Sequence, residues 1–405
     1  MGTRMGAATQ EIITRAGQLE ELCAEWSTCP VIGWDTEFVG EDTYHPELCL
    51  VQVAVPGRLY LIDPYEVGSL APFWQLLHDP NRVSVVHAGR EEVRLCRLFS
   101  GAPPANLFDV QLAAGLVSTS YPLGHAAVVQ IYLGQRLSKG ETLTEWRRRP
   151  LTPEQIRYAF DDVRYLLKLH EKLGARLAKL GRSEWIKEEG QRLIRRAGCV
   201  EPAVEEERWR KLRGVGGLDR RRLAQVRALF AWRDARAQAG NRPARTILRD
   251  DLLVEVVKRD PREPADLSVI RGLQHRDLSE IVAVLQQARE VPLEQCPEAA
   301  ERGVDSPQLN LVSAILTAAL GDFCHRQQLA LGLVATSNEV RTLVRAALAG
   351  EPLPQMPLTE GWRARFVLPE LLALLSGRRW LRIANPRSNS PLQYRPHDET
   401  TGTLA

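Results

Sequence analysis

Apolar positions along the first 175 residues switch repeatedly between strand-like and helix-like spacing, and beyond that point the strand pattern stops. Residues 10–28 carry apolar side chains at helical spacing and predict a short leading helix. Three β-like segments follow, at 31–39, Leu48–Val55 and Leu59–Asp63, with Pro56-Gly57 marking a tight turn between the last two. The pattern then predicts a helix near 70–78, a strand at Val83–His87 and a helix at Glu91–Phe99. A short strand over Asn106–Val110 runs into a helix at 111–117. Thr152, Pro153 and Gln155 form a helix-start signal, with an N-cap, a proline at the first helical position and a capping box, for a helix over 153–174. Three strands followed by alternating helices and strands imply a mixed sheet with helices packed on it. Residues 218–290 read as several amphipathic helices with an internal turn at Asn241-Arg242-Pro243-Ala244, residues 292–307 as a linker, and 308–382 as a further helical block. The last twenty residues are polar, with several Pro and Asn, and predict a flexible tail.

A chain of 405 residues is too long for one core, so two or three domains are expected. Its 44% hydrophobic and 25% charged residues are those of an ordinary globular protein. The net charge of +3 means that any affinity for nucleic acid must come from local clustering. One cluster exists: Arg208 to Arg249 holds thirteen Lys/Arg against two acids, with Trp209, Phe230 and Trp232 interleaved. Such a stretch could hold an RNA backbone or be an ordinary charged surface. The seven cysteines are scattered without zinc-type pairing, which suits reduced thiols. The N-terminus lacks the apolar core of a signal peptide and no run reaches membrane-spanning length, so a cytoplasmic protein without membrane contact is expected.

The candidate chemistry lies in carboxylates placed where apolar residues are expected. Asp35 and Glu37 sit two apart in the strand Val31–Val39, which puts both on one face. Burying two like charges costs several kcal/mol unless something compensates them, and Mg²⁺ or Mn²⁺ does so through carboxylate oxygen. The alternative is a strand end where both acids reach water. Asp162, on the packing face of the capped helix with Tyr158 one turn before it, is a third acid. Carboxylates drawn from distant parts of a chain can hold the two ions of a phosphodiester-cleaving site. The Tyr158 hydroxyl could orient the attacking water, or the ring could be a core aromatic.

Trp-Asp-Thr-Glu-Phe at 34–38, His-Ala-Gly-Arg-Glu-Glu at 87–92, Phe-Asp at 108–109 and Tyr-x-x-x-Asp at 158–162 resemble, in order, the motifs of the RNase D family. This is the tyrosine-bearing branch of the DEDD 3′→5′ exonucleases. Thr144 to Leu151 is similar to the family's loop into the last helix. Phe230 to Asp234, Arg242-Pro243, Asp250 to Leu253 and Ile270 to Leu273 resemble a helicase-and-RNase-D C-terminal (HRDC) domain, and 308–382 resembles a second, diverged copy. The resemblance implies an α/β ribonuclease H-like exonuclease domain at 1–180, followed by two all-α HRDC-type domains at 205–292 and 305–385, with a tail at 386–405.

It also implies a 3′→5′ exoribonuclease that uses two divalent ions, Mg²⁺ or Mn²⁺, and releases nucleoside 5′-monophosphates from RNA. The substrates would be tRNA precursors and the protein a monomer. Asp35, Glu37, Glu92 and Asp162 would be the metal ligands, with Asp35 bridging and Tyr158 positioning water. Glu92 departs from the family pattern, where that acid is usually aspartate, and the extra methylene could be tolerated or could shift an ion by about an ångström. A weakened nuclease scaffold that only binds RNA is therefore the competing reading, and a DNA exonuclease a third. His87 is expected to be a structural or substrate-proximal hydrogen bonder and Asp109 a helix-capping or supporting acid. Lys139, Arg147, Arg148 and Arg149 are candidates for phosphate contacts or simply a solvated face.

Overall fold

The computed structural model describes residues 8–137, 145–198, 207–299 and 306–396. Six strands form the main sheet: β1 (Thr9–Ile13), β2 (Val31–Val39), β3 (Glu47–Val55), β4 (Arg58–Ile62), β5 (Val83–Val86) and β6 (Leu107–Asp109), in the order β1-β4-β3-β2-β5-β6. β3 and β4 are antiparallel across the Pro56-Gly57 turn, where Gly57 takes the positive φ of 79° that such a turn needs. β1 with β4, β2 with β5 and β5 with β6 are parallel, so the sheet is mixed as expected. Ile32, Trp34, Leu50, Val51, Val53, Val85 and Val86 are fully buried in its centre.

Among the described residues nine helices accompany the sheet: α1 (Ala16–Trp26), α2 (Pro64–Val67), α3 (Ala71–Leu77), α4 (Arg90–Ser100), α5 (Val110–Leu116), α6 (His125–Leu133), α7 (Pro153–Arg164), α8 (Leu166–Lys179) and α9 (Ser183–Gly198). The predicted leading helix over 10–28 is corrected in its first third, where the chain is strand β1. An edge strand of this kind needs only backbone partners and buries only Ile13, so its side chains leave no period to read. The capping box of α7 forms as predicted. Thr152 Oγ1 accepts from the Gln155 amide at 3.2 Å, and Gln155 Oε1 accepts from the Thr152 amide at 2.9 Å. The single helix expected over 153–174 is instead two, breaking at Tyr165 (φ −107°) and restarting as α8. The restart sits directly on the sheet, since a Cβ on Gly33 of β2 would lie 3.1 Å from Leu166 Cβ. Glycine at 33 thus lets the α7–α8 junction approach β2.

The chain divides into two compact units, Met1–Thr36 with Leu50–Gly198 and Val304–Ala405, and Glu37–Cys49 with Cys199–Gly303. The second contains α10 (Arg220–Ala239), α11 (Asp250–Arg259) and α12 (Leu278–Glu290) around a core of Trp209, Val226, Leu229, Leu253, Val257, Ile281 and Leu285. Within this unit Tyr44 Oη donates to Asp234 at 2.8 Å, and the amides of Tyr44 and His45 donate to Asn241 Oδ1.

In the first unit, α9 continues well past residue 180 and packs on β6, where a Cβ on Gly190 would collide with the Leu107 carbonyl at 2.2 Å. The C-terminal block of this unit holds α13 (Pro307–Arg326), α14 (Ser337–Ala349), α15 (Gly361–Phe366) and α16 (Leu368–Leu375). It is not all-α, because an antiparallel hairpin follows: β7 (Arg379–Ile383) and β8 (Leu392–Pro396). β8 lies inside the segment expected to be a flexible tail. Tyr394 ties it down, donating to the Ala319 carbonyl at 3.0 Å beneath the Arg326 guanidinium. Residues 397–405 of that segment lie outside the described residues.

The block is held to α9 by a buried ion pair. Arg363 and Glu189, 4% and 6% exposed, join through both guanidinium nitrogens, and Trp362 Nε1 donates to the same carboxylate at 2.8 Å. Arg363 Nε also reaches the Leu333 and Val334 carbonyls. Removing one member leaves the other charge buried and unpaired, which costs about 3–5 kcal/mol. Glu189→Gln should therefore lower the urea midpoint of the transition that unfolds this unit, by a shift corresponding to a stability loss on the order of 3 kcal/mol. An unchanged midpoint would show that the pair contributes nothing.

Candidate active site

The site is built midway along β2 from residues held by four separate elements. Asp35, half-buried on β2, accepts the Thr36 amide at 3.0 Å. Glu92, buried in the first turn of α4, accepts from Thr36 Oγ1 at 3.3 Å. Its neighbour Glu91 turns away and pairs with Arg94 at 2.7 Å, so Glu92 is the acid that faces Asp35. Glu37 lies two residues beyond Asp35 on β2, half-buried and on the same side by strand alternation.

The turn that delivers Glu92 is unusual and needs support. Ala88 has φ 56°, and a side chain on Gly89 would come within 2.2 Å of Val86 Cγ2. Asp109 fixes this turn by accepting the amides of Ala88 and Gly89 at 3.1 and 2.9 Å. The same carboxylate caps α5 through the amides of Gln111 and Leu112. Asp109 is thus a capping acid that also holds the start of α4.

Burial and mutual repulsion govern the electrostatics. Burial first, and then the charge of Asp162, push the Asp35 carboxyl up to about 6, against the opposing Thr36 amide. Burial and the charge of Asp35 raise Glu92 well above the usual carboxylate range. Asp162 is pushed up to about 7 by burial and then by Asp161, with the Tyr158 hydroxyl bonding in the opposite sense. Asp161 itself points elsewhere, to Arg164 at 2.7 Å. Asp162 Oδ2 is buried and has no hydrogen-bond partner among the described residues.

One residue in the site carries no signal in the sequence. His125, at the start of α6, has its Nδ1 3.8 Å from Asp162 Oδ1, and its buried Nε2 has no partner among the described residues. Its ring lies 5.3 Å from that of His87, whose Nε2 bonds the Leu123 carbonyl at 2.9 Å. Burial pushes both imidazoles below their ordinary range. A lone histidine after Gly124 in an apolar stretch has no spacing that ties it to distant acids.

The remaining candidates fare differently. Tyr158 is half-buried beside Trp146, ring centroids 6.1 Å apart. Arg147 is half-buried and Arg148 exposed, while Lys139 lies outside the described residues. Arg149 is corrected as a phosphate ligand: its guanidinium grips Asp63 through two nitrogens, donates to the Trp146 carbonyl and lies over the Tyr65 ring. The basic stretch 208–249 is also largely committed internally. Arg233 pairs with Asp250 and the Leu248 carbonyl, Arg236 with Asp277 and Glu280, and Arg220 and Arg221 hold the carbonyls of Cys296 and Val291.

Three carboxylates that burial keeps from ionising freely, one with an unpartnered oxygen, are a donor set suited to a hard divalent cation. Among the described residues no three His, Cys, Asp or Glu side chains are arranged to hold an ion as they stand. Asp35 and Glu92 are instead each held by Thr36, through its amide and its hydroxyl. The donor chemistry fits a divalent ion, whose arrival would displace protons and draw the carboxylates together.

Comparison with known proteins gives the chain's family. Residues 10–178 match the 3′-5′ exonuclease family model, and residues 222–288 match that of the HRDC domain. Ribonuclease D of Acidiphilium cryptum is 34% identical over 380 residues, covering 91% of this chain and 93% of that protein. Ribonuclease D of Pseudomonas paraeruginosa is 35% identical over 285 residues, covering 69% and 75%. Among solved structures, Escherichia coli RNase D, described as an exoribonuclease involved in structured RNA processing, superposes with a TM-score of 0.80. It is 28% identical and the match covers 90% of this chain and 98% of that one.

Raised carboxyl pKa values mean that the fold without metal binds more protons than the unfolded chain between about pH 4 and 7, so this cluster's contribution to stability falls as pH rises through that window. Asp35→Asn removes one repelling charge. It should stabilise the metal-free protein by an amount on the order of 1–2 kcal/mol at pH 8 and flatten the loss of Tm between pH 5 and 8. A lower Tm at pH 8 would mean that Asp35 is not under electrostatic strain.

Proposed function

The chain belongs to the ribonuclease D family and is a metal-dependent 3′-5′ exoribonuclease, and on that footing we propose that it trims tRNA precursors one nucleotide at a time, releasing nucleoside 5′-monophosphates. The observation that carries this reading is the meeting of Asp35, Glu92 and Asp162, from β2, α4 and α7, in one buried site with Tyr158 beside it. A module that only binds RNA has no use for buried, mutually repelling acids.

Asp35, Glu37, Glu92 and Asp162 would hold two divalent ions, Mg²⁺ or Mn²⁺, with Asp35 shared between them. When bound, such ions supply an activated water and stabilise the leaving 3′ oxygen. The chain's own residues do the rest. The Tyr158 hydroxyl, one helical turn from Asp162, orients the attacking water. His87 and His125 line the site as neutral imidazoles able to donate to the substrate. Arg147 and Arg148, with Lys139, are suited to phosphates of the incoming strand. Glu92 accepts from Thr36 and lies close enough to Asp35 for the two charges to repel, so the longer side chain already brings its carboxylate into the site.

The proposed division is an exonuclease domain at 1–180, extended by α9, an HRDC domain at 205–292 and a diverged HRDC-like block at 305–385. The model matches at 10–178 and 222–288 support the first two. Among the described residues no helix is long and apolar enough to cross a membrane; a cytoplasmic monomer is part of the proposal.

A 3′-extended tRNA transcript labelled at its 5′ end tests the reading. Stepwise shortening with Mg²⁺ or Mn²⁺ is expected, abolished by Asp35→Ala and slowed roughly 10²-fold by Tyr158→Phe. Glu92→Asp should also slow it, since retracting the carboxylate by about one ångström can cost about a hundredfold. Intact RNA under both metals would overturn the proposal, and faster trimming by Glu92→Asp would overturn the role given to the longer side chain.

A further inference from the structure

The hairpin β7–β8 presents two different faces. In its register Trp380 stands opposite Arg395 and Arg382 opposite Gln393, while Leu381 stands opposite Tyr394 and Ile383 opposite Leu392. Directly opposed residues share a face of the ribbon. The Tyr394 face is tied to α13 through the Ala319 carbonyl and Asp322. The other face, Trp380, Arg382, Gln393 and Arg395, is turned away from these anchors, with both arginines exposed and Trp380 39% exposed.

This outer face is ordered and cationic. The Arg395 guanidinium lies 6.0 Å from the Trp380 ring centroid, and Arg382 Nε donates to Gln393 Oε1 at 2.9 Å. Gly377 to Pro396 contains no Asp or Glu, and among the described residues neither Arg382 nor Arg395 has a carboxylate partner. The contrast with α10 is direct, since the arginines there are taken up by carboxylates and carbonyls of their own unit. Guanidinium groups flanking an exposed indole, with no acid nearby, match the chemistry of an unpaired RNA segment: phosphates for the cations and a base to stack on the ring. A membrane surface would want aliphatic side chains beside the tryptophan, and this face has none.

We propose that the outer face of the β7–β8 hairpin is an additional RNA contact, gripping an unpaired stretch of the substrate apart from the hydrolytic site. It rests on the reading of the chain as an enzyme of structured RNA. Binding of a 3′-extended tRNA transcript by the full chain, followed by fluorescence anisotropy in EDTA across a salt series, tests it. Losing two single-strand phosphate contacts in Arg382→Gln with Arg395→Gln should reduce the slope of log affinity against log salt by roughly 1.4, and weaken binding about tenfold at 0.1 M salt. Trp380→Ala should weaken binding by about five- to tenfold and leave the slope unchanged, as expected when stacking alone is lost. Hydrolysis of a saturating tetranucleotide, too short to reach a second contact, should be unaffected by any of them. Wild-type affinity and slope in the variants would overturn the assignment, as would displacement of RNA by polyglutamate with equal sensitivity to the arginines and none to Trp380. Hairpin-dependent binding by a chain that never shortens RNA would leave this contact standing and overturn the hydrolytic reading instead.

Discussion

Repulsion among buried acids is the constraint around which the first unit is arranged. Asp35, Glu92 and Asp162 reach one site from β2, α4 and α7, and burial drives their pKa values upward, helped by the charge of Asp162 on Asp35, of Asp35 on Glu92 and of the adjacent Asp161 on Asp162. Left to itself such a cluster would open toward water, so the fold spends several local features on keeping it closed. Asp109 fixes the strained turn before Glu92, and glycine at 33 lets the α7–α8 junction approach β2. The Thr152–Gln155 box sets where α7 begins, and therefore which of its side chains face inward. None of these residues need touch RNA, yet each determines where a carboxylate stands. An enzyme that must bind divalent cations gains from this arrangement, because the ion relieves a repulsion already built into the fold.

Arginine serves two purposes in this chain, and net charge reveals neither. Arg149 with Asp63, Arg233 with Asp250 and Arg363 with Glu189 are internal fastenings, each joining elements far apart in sequence. A guanidinium fork meets a carboxylate through two parallel hydrogen bonds and still has donors left for carbonyls, which suits it to such joints. The arginines on the outer face of the terminal hairpin have no carboxylate of this kind among the described residues. Counting basic residues is therefore a poor guide: the density is greatest over 208–249, where many of the side chains are already engaged by carboxylates and carbonyls of the protein itself.

Much of the catalytic unit was legible in the sequence because its signals are physical. Carboxylates in the apolar strand Val31–Val39, a capping box before an acid-bearing helix face, and a turn at Pro56-Gly57 each correspond to an element of the structure. Glu92 was singled out only by its place in the family motif, and the structure shows it buried while Glu91 turns to Arg94. What stayed hidden had no periodic signature. β1 is an edge strand with one buried side chain, the break at Tyr165 depends on how α8 meets the sheet, and His125 joins Asp162 only through folding. Arg149 looked like its neighbours Arg147 and Arg148 because nothing local reveals a partner at Asp63. The hairpin was obscured by its own polar, proline-containing loop, which reads as a tail until Tyr394 is seen packed on α13.

The most direct test of the account is calorimetric titration of the metal-free protein with Mn²⁺ in two buffers of different ionisation enthalpy, at pH 6 and at pH 8. If the acids of the site are held protonated by burial and repulsion, ion binding at pH 6 must release protons, and that release must shrink or vanish at pH 8, where the carboxylates titrating near 6 to 7 are already ionised. Asp35→Asn should lose both the binding and the released protons. Tight binding at pH 6 with no proton release, or binding that survives in Asp35→Asn, would contradict the claim that this cluster is the metal-dependent centre of the enzyme.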